Sequence, residues 1–344
     1  MPASLLTLLV CGCTPTIIDD DDPAETDADT DADTDADTDT DADTDTDALK
    51  GSEDGEGFGA AVAFVGTDLY IGAPHGAQGR VSRYRDGSLT TVVEASGRAG
   101  TALAGGDSLL IGAPLTDSGV GAVLDGDGGT VLSGTGGAGL AVAWGGGWLA
   151  ATETGWQTAT DSGTTPARPT AIAAMAEGST WIVGVGMIQG DIALQAGTLT
   201  FTRLSDQDEA GYALASGDVD GDGDLEWILG APGVGRVDVL SATDLSIEAT
   251  LTGTGRFGAA IAVGDVDGDG TTDLLIGSPM AGDGVQGAAA LYTNGDLSKP
   301  AATFEGTTAG DQLGFSVAIT EGVLAIGAPG SASQPGRVEH LTTW

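Results

Sequence analysis

Short apolar runs recur along the chain, each stopped by glycine, a small residue and proline. They are Leu69-Tyr70-Ile71-Gly72-Ala73-Pro74, Leu109-Leu110-Ile111-Gly112-Ala113-Pro114, Trp227-Ile228-Leu229-Gly230-Ala231-Pro232, Leu274-Leu275-Ile276-Gly277-Ser278-Pro279 and Leu324-Ala325-Ile326-Gly327-Ala328-Pro329. Runs this short, bounded by turn residues, read as buried strands rather than helices. Proline ends a ladder because it has no N–H to donate. A strand of small residues precedes several of them, as in Gly59-Ala60-Ala61-Val62-Ala63, Gly258-Ala259-Ala260-Ile261-Ala262 and Gly314-Phe315-Ser316-Val317-Ala318. Gly-Arg-Val follows at Gly79-Arg80-Val81, Gly235-Arg236-Val237 and Gly336-Arg337-Val338. Each unit predicts four strands in succession.

The interval between Pro114 and Pro232 has room for two further units. Degenerate copies stand there: Leu140-Ala141-Val142-Ala143 before Trp148-Leu149-Ala150, and Ala171-Ile172-Ala173-Ala174 before Trp181-Ile182-Val183. Seven units over residues 51–344 average about 42 residues each, the length of a four-stranded propeller blade. The last unit supplies three strands only. Ala48-Leu49-Lys50-Gly51 stands at the same offset before Gly59 as Thr303-Phe304-Glu305-Gly306 before Gly314. The expected fold is therefore an all-β, seven-bladed β-propeller over 48–344, with the N-terminal strand closing the last blade and removing two open edges.

Composition supports this reading. The 59 glycines suit tight turns and disfavour helices. The formal net charge is −40, and sixteen of the 51 acids lie within the first 50 residues. A surface this acidic disfavours nucleic acid and anionic lipid. It favours divalent cations and basic partners. From Asp19 to Asp47 the chain is almost wholly Asp, Thr and Ala. Dense charge of one sign without apolar periodicity predicts an extended stalk, assigned to 13–47. The only cysteines, Cys11 and Cys13, follow a short apolar stretch, Leu5–Val10. Val10-Cys11-Gly12-Cys13 resembles a bacterial lipoprotein signal, which implies a signal peptide over 1–12 and a lipid on the Cys13 sulfur. The expected location is then the cell envelope, with the membrane reached through the lipid alone.

Phe58-Gly59 and Phe257-Gly258, each followed by a Gly-Ala-Pro or Gly-Ser-Pro turn, resemble the FG-GAP repeats of integrin alpha-chain propellers. Two units also carry an aspartate-rich loop between their first and second strands: Asp218-Val219-Asp220-Gly221-Asp222-Gly223-Asp224-Leu225-Glu226 and Asp265-Val266-Asp267-Gly268-Asp269-Gly270-Thr271-Thr272-Asp273. Calcium takes six to eight oxygens from a tightly turned backbone. The resemblance implies Ca2+ held by Asp218, Asp220, Asp222, the Asp224 carbonyl and Glu226. In the second loop the ligands are Asp265, Asp267, Asp269, the Thr271 carbonyl and Asp273. Asp125-Gly126-Asp127-Gly128-Gly129 lacks this spacing and reads as a plain turn.

Nothing in the sequence assembles a catalytic constellation. His75 and His340 fall in different units, and no nucleophile is paired with a base. The chain is expected not to be an enzyme. It reads as a calcium-binding surface propeller acting as a protein-binding or adhesion module. A purely architectural envelope lipoprotein, or a non-catalytic remnant of a propeller-bearing hydrolase, is the alternative. A protein or glycan ligand would use the loops opposite the calcium loops, where acids at Glu53–Glu56, Asp206–Glu209 and Ala309–Gln312 suggest a basic or cation-bridged partner. The tryptophans are expected to pack between blades, with Trp156 a candidate exposed contact.

Overall fold

The computed structural model describes residues 48–133, 136–165, 168–174, 181–185, 191–195, 199–203 and 208–342. Cys13 and the acidic stretch up to Asp47 lie outside them. Among the described residues the strands form seven antiparallel four-stranded sheets. Six are built from four consecutive strands, such as Ala260–Gly264, Asp273–Ser278, Ala288–Tyr292 and Ala302–Glu305. The first strands lie side by side around an axis: Ala61–Val65, Ala102–Ala104, Val142–Trp144, Ala171–Ala174, Ala213–Gly217, Ala260–Gly264 and Ser316–Thr320. Each touches the next, and the last touches the first, so the sheets close into an all-β propeller. The sheets are called blades 1 to 7 below, in the order of these inner strands.

Blade 7 draws its outer strand from the other end of the chain. Leu49 pairs with Val338 and Lys50 with Arg337, and the Gly51 N–H donates to Gly336 O at 2.8 Å. Leu49 packs beside Phe58, Leu69 and Val338 in the core between blades 7 and 1. The degenerate units fold as blades 3 and 4. Trp148–Thr152 is the second strand of blade 3 and Trp181–Val185 that of blade 4.

Hydrophobic residues fill the wedges between blades, because both faces of every blade are covered by neighbours. Between blades 5 and 6 the core contains Ile228, Val237, Val239, Phe257, Leu274 and Ile276. Burial on both faces explains why second strands such as Trp227-Ile228-Leu229 are continuous apolar runs and not alternating ones. Trp156, the candidate exposed contact, is 2 % exposed and stacks edge-on against Trp181 with ring centroids 3.9 Å apart. It is a core residue of the seam between blades 3 and 4.

The repeated glycines mark where blades approach most closely. The glycine of each Gly-Ala-Pro-type turn, and Gly184 at the same position of blade 4, lies on the backbone of the glycine that opens the next blade: Gly72 on Gly100, Gly112 on Gly139, Gly184 on Gly211, Gly230 on Gly258, Gly277 on Gly314 and Gly327 on Gly59. A Cβ on any of the first set would overlap the neighbour's carbonyl oxygen. Within its own blade, the opening glycine donates to the carbonyl of the turn glycine, as Gly258 N–H does to Gly277 O at 3.1 Å. The seam between blades 3 and 4 departs from this rule. Ala151 occupies the turn position, accepting from Gly139 N–H at 3.1 Å. Pro169 precedes Thr170, whose N–H donates to Gly184 O at 2.8 Å.

Adding one methyl at a regular seam must push two blades apart, and overpacking of this kind costs about 1–3 kcal/mol. Gly230→Ala and Gly277→Ala are expected to lower the unfolding free energy by that amount in denaturant titrations. Ala151→Gly, at the irregular seam, should change it by less than either.

Candidate metal centres

The two aspartate-rich loops join the first and second strands of blades 5 and 6, and they have the same internal hydrogen bonding. In blade 5, Asp218 accepts from Gly221 N–H through Oδ1 (2.8 Å) and from Gly223 N–H through Oδ2 (3.1 Å). Asp220 accepts from Asp222 N–H (3.2 Å) and Asp222 from Asp224 N–H (2.8 Å). In blade 6, Asp265 accepts from Gly268 N–H (2.8 Å) and Gly270 N–H (2.9 Å). Asp267 accepts from Asp269 N–H (3.2 Å) and Asp269 from Thr271 N–H (2.6 Å). The glycines allow this winding. Gly221, Gly223, Gly268 and Gly270 all have positive φ, between 75° and 94°.

Each loop is bolted to the core at its second and ninth positions. Val219 and Val266 are buried, at 1 % and 0 % exposure, in the wedges between blades 5 and 6 and between blades 6 and 7. Their backbone N–H groups donate to the ninth-position acids, Val219 to Glu226 Oε2 at 3.0 Å and Val266 to Asp273 Oδ2 at 2.7 Å. Glu226 thus takes the place of aspartate without disturbing the loop.

The carboxylates converge. One oxygen each from Asp218, Asp220 and Glu226 lies within 4.8 Å of the others, as does one each from Asp265, Asp267 and Asp269. Asp222 and Asp224 fall outside the first set, and Asp273 outside the second. Thr271 and Asp224 would contribute only backbone carbonyls. Asp273 is fully buried, and its Oδ1 has no hydrogen-bond partner. Burial raises its pKa, with Asp267 and Asp269 adding to the effect, while the Val266 and Asn294 backbone N–H groups act in the opposite direction. Burial likewise pushes Glu226 from 4.5 to about 7, against the Val219 N–H and with Asp220 and Asp218 reinforcing the rise. A buried carboxylate oxygen without a partner, beside three converging acids, is an unpaid electrostatic cost that a hard cation removes. All-oxygen donors on a tightly wound, glycine-turned loop suit calcium better than a softer metal. The residues therefore fit the ion.

Asp125 caps its own hairpin, accepting from Asp127 N–H (3.0 Å) and Gly129 N–H (2.7 Å), as a simple turn does. On the opposite face, however, the acids read as free partner contacts are largely engaged. Arg80 pairs with Glu56, Arg236 with Asp208 (3.4 Å) and Asp238 (3.0 Å), Arg256 with Glu209, and Arg337 with Asp311 (2.9 Å) and Glu339. Asp206 lies outside the described residues. The signal for these pairs was in the sequence. An acid stands three residues before Gly59, Gly211 and Gly314, and arginine follows glycine in each Gly-Arg-Val.

Residues 257–292, which span most of blade 6 including its acidic loop, match the family model described as FG-GAP repeat. No curated protein sequence is matched. Among solved structures, a chain from "Crystal Structure of Mitotic Checkpoint Complex" superposes with a TM-score of 0.59 at 8% identity, over 86% of this chain and 93% of that one. The "WD40 beta propeller domain of Doa1" superposes with a TM-score of 0.59 at 12% identity, over 85% and 95%. At these identities the likeness shows the propeller fold and nothing of function.

Glu226 sets a pH dependence for the protein in chelator. Its folded-state pKa lies above the ordinary 4.5, so its stabilising contribution is complete below about 4.5 and is lost as pH rises through about 7. The chelated protein is expected to melt at lower temperature at pH 8 than at pH 5.5. Glu226→Gln should reduce that difference, isolating this group from the general repulsion of surface acids. An unchanged difference in calorimetric melts of the variant would remove Glu226 as its source.

Proposed function

We propose that the chain is a seven-bladed, calcium-binding propeller that serves as a protein-binding or adhesion module at the cell surface. The observation that carries the calcium reading is the buried, unpartnered Asp273 Oδ1 at the base of a loop whose twin recurs one blade earlier. The module reading is supported by the FG-GAP repeat in blade 6.

The binding face is the one opposite the acidic loops. There the turns after the second strands are hydrogen-bonded to the segments that enter each blade: His75 N–H to Glu56 O (2.8 Å), Leu115 to Gly97 (2.9 Å), Gly233 to Asp208 (3.1 Å) and Met280 to Gly255 (2.9 Å). This interlocking makes a firm platform. With Glu56, Asp208 and Asp311 paired internally, the platform offers exposed apolar side chains, Leu115, Val120, Val234 and Phe315, together with the exposed acids Glu53, Asp54 and Asp283. A protein or glycan ligand with apolar and basic groups suits that mixture better than a purely electrostatic one. The protein is read as not an enzyme. Lipid on Cys13 would hold it at the envelope, with the acidic stretch as spacer. Cys13→Ser is expected to move the protein from the membrane fraction to the soluble fraction, and persistence in membranes would refute the anchor.

Calcium binding to the native state alone adds RT ln(1 + [L]/Kd) to stability. For sites of the extracellular class, with Kd of about 0.1–1 mM, 10 mM calcium would add roughly 1.4–2.7 kcal/mol per site. The melting midpoint is therefore expected to rise with calcium and fall with chelator. Asp267→Ala should remove part of that rise and Asp220→Ala most of the remainder. Magnesium should substitute poorly because it demands stricter octahedral geometry. A midpoint indifferent to calcium, with no heat on titration, would defeat the metal assignment.

A further inference from the structure

The two acidic loops touch a common support. Blade 6 carries a tight turn, Thr293–Asp296, closed by Asp296 N–H donating to Thr293 O at 3.1 Å. Its central residues, Asn294 and Gly295, both have positive φ, 58° and 67°, which is the type I′ geometry that an Asn-Gly pair prefers. Gly295 lies against the backbone of Asp220 in the neighbouring loop of blade 5. A Cβ there would stand 2.5 Å from Asp220 O. On its other side the turn continues directly from Tyr292, which pairs with Leu274, so it lies in the ladder beside Asp273. One turn thus bears on an acid of each candidate site.

The turn is itself held firmly. Leu297 packs into the core between blades 5 and 6, the same cluster that contains Val219 of the blade 5 loop and Tyr292 of blade 6. Asp296 accepts from Ser298 N–H (3.0 Å) and Ser298 Oγ (2.5 Å). The loops also meet directly. An atom added at Gly217 would lie 3.0 Å from the Thr272 methyl, and one at Gly221 would lie 3.8 Å from the Thr271 methyl.

We propose that the blade 5 and blade 6 sites are positively coupled through the Asn294-Gly295 turn, so that filling one strengthens binding at the other. This rests on the calcium reading above. Ordering Asp220 around an ion fixes the backbone that packs on Gly295. The turn, which continues the ladder beside Asp273, is then already ordered when the second ion binds, at reduced cost. Repulsion between the two dications opposes this, but exposed charges are screened beyond about 8 Å at physiological salt, whereas the turn acts by contact. Asn294 and Gly295 are positioning residues and not ligands.

Calorimetric calcium titration of the full chain tests the coupling. Asp267→Ala leaves the blade 5 site alone, and Asp220→Ala leaves the blade 6 site alone. The product of the two wild-type association constants is expected to exceed the product of these single-site constants by about fivefold or more. Gly295→Ala should bring that ratio toward one while keeping two sites. If Gly295→Ala does not fold, judged by its circular dichroism and chelated melt, Asn294→Ala takes its place with the same expectation. A ratio of one or less in the wild type, or a ratio untouched by the turn variant, overturns the coupling while leaving the calcium reading intact. Absence of any binding by the wild type overturns the calcium reading itself.

Discussion

Adjacent blades touch through bare backbone at their seams, and the rest of the molecule depends on that approach. At six of the seven seams a turn glycine lies on the opening glycine of the next blade with no space for a side chain. The inner strands can pack as a closed ring only because these positions lack Cβ. Closure in turn places every second strand between two blades and buries it on both faces. The glycine, the small residue and the proline of the repeated turn thus have one cause: close approach first, then a ladder that must stop. The seam between blades 3 and 4 shows another solution. With Ala151 at the turn position and Thr170, preceded by Pro169, at the opening one, the edge-on pair Trp156 and Trp181 fills the wedge instead.

Charge is managed on the two faces in different ways. On the entry face, arginines from the third strands neutralise acids of the segments that lead into the inner strands. In a chain with 11 basic and 51 acidic residues, this commits several of the few cations to internal pairs. Half-buried pairs of this kind fix the path of the chain more than they add net stability. On the loop face, Asp218, Asp220, Asp265 and Asp267 have no arginine among their hydrogen-bond partners. Their oxygens are met by backbone N–H groups, and Asp273 keeps one oxygen without any partner. The contrast is the main support for the proposed cation sites.

The loops are extensions of the core. Val219 and Val266 anchor them in the interblade wedges, and the ninth-position acids are tied to those valines' N–H groups. A change in the loop is therefore felt at the seam. The Asn294-Gly295 turn extends this logic from one blade to the next.

The sequence by itself determined the strand units, the turn positions and the two acidic loops, because each rests on local chemistry: apolar runs stopped by proline, and carboxylates alternating with glycine. It also determined that Leu49 and Lys50 would supply blade 7's outer strand, since the spacing to Gly59 repeats that seen before Gly314. Which side chains would be spent internally was decided only by the tertiary structure. Glu56, Asp208 and Asp311 look like free surface acids until Arg80, Arg236 and Arg337, about 25 residues onward, fold back onto them. The choice for Trp156 between packing between blades, the expected role, and an exposed contact is settled only when Trp181 of the next blade covers it. The support shared by Asp220 and Asp273 belongs to the same class. Asp220 and Gly295 are far apart in sequence, and only the side-by-side packing of blades 5 and 6 brings one backbone against the other.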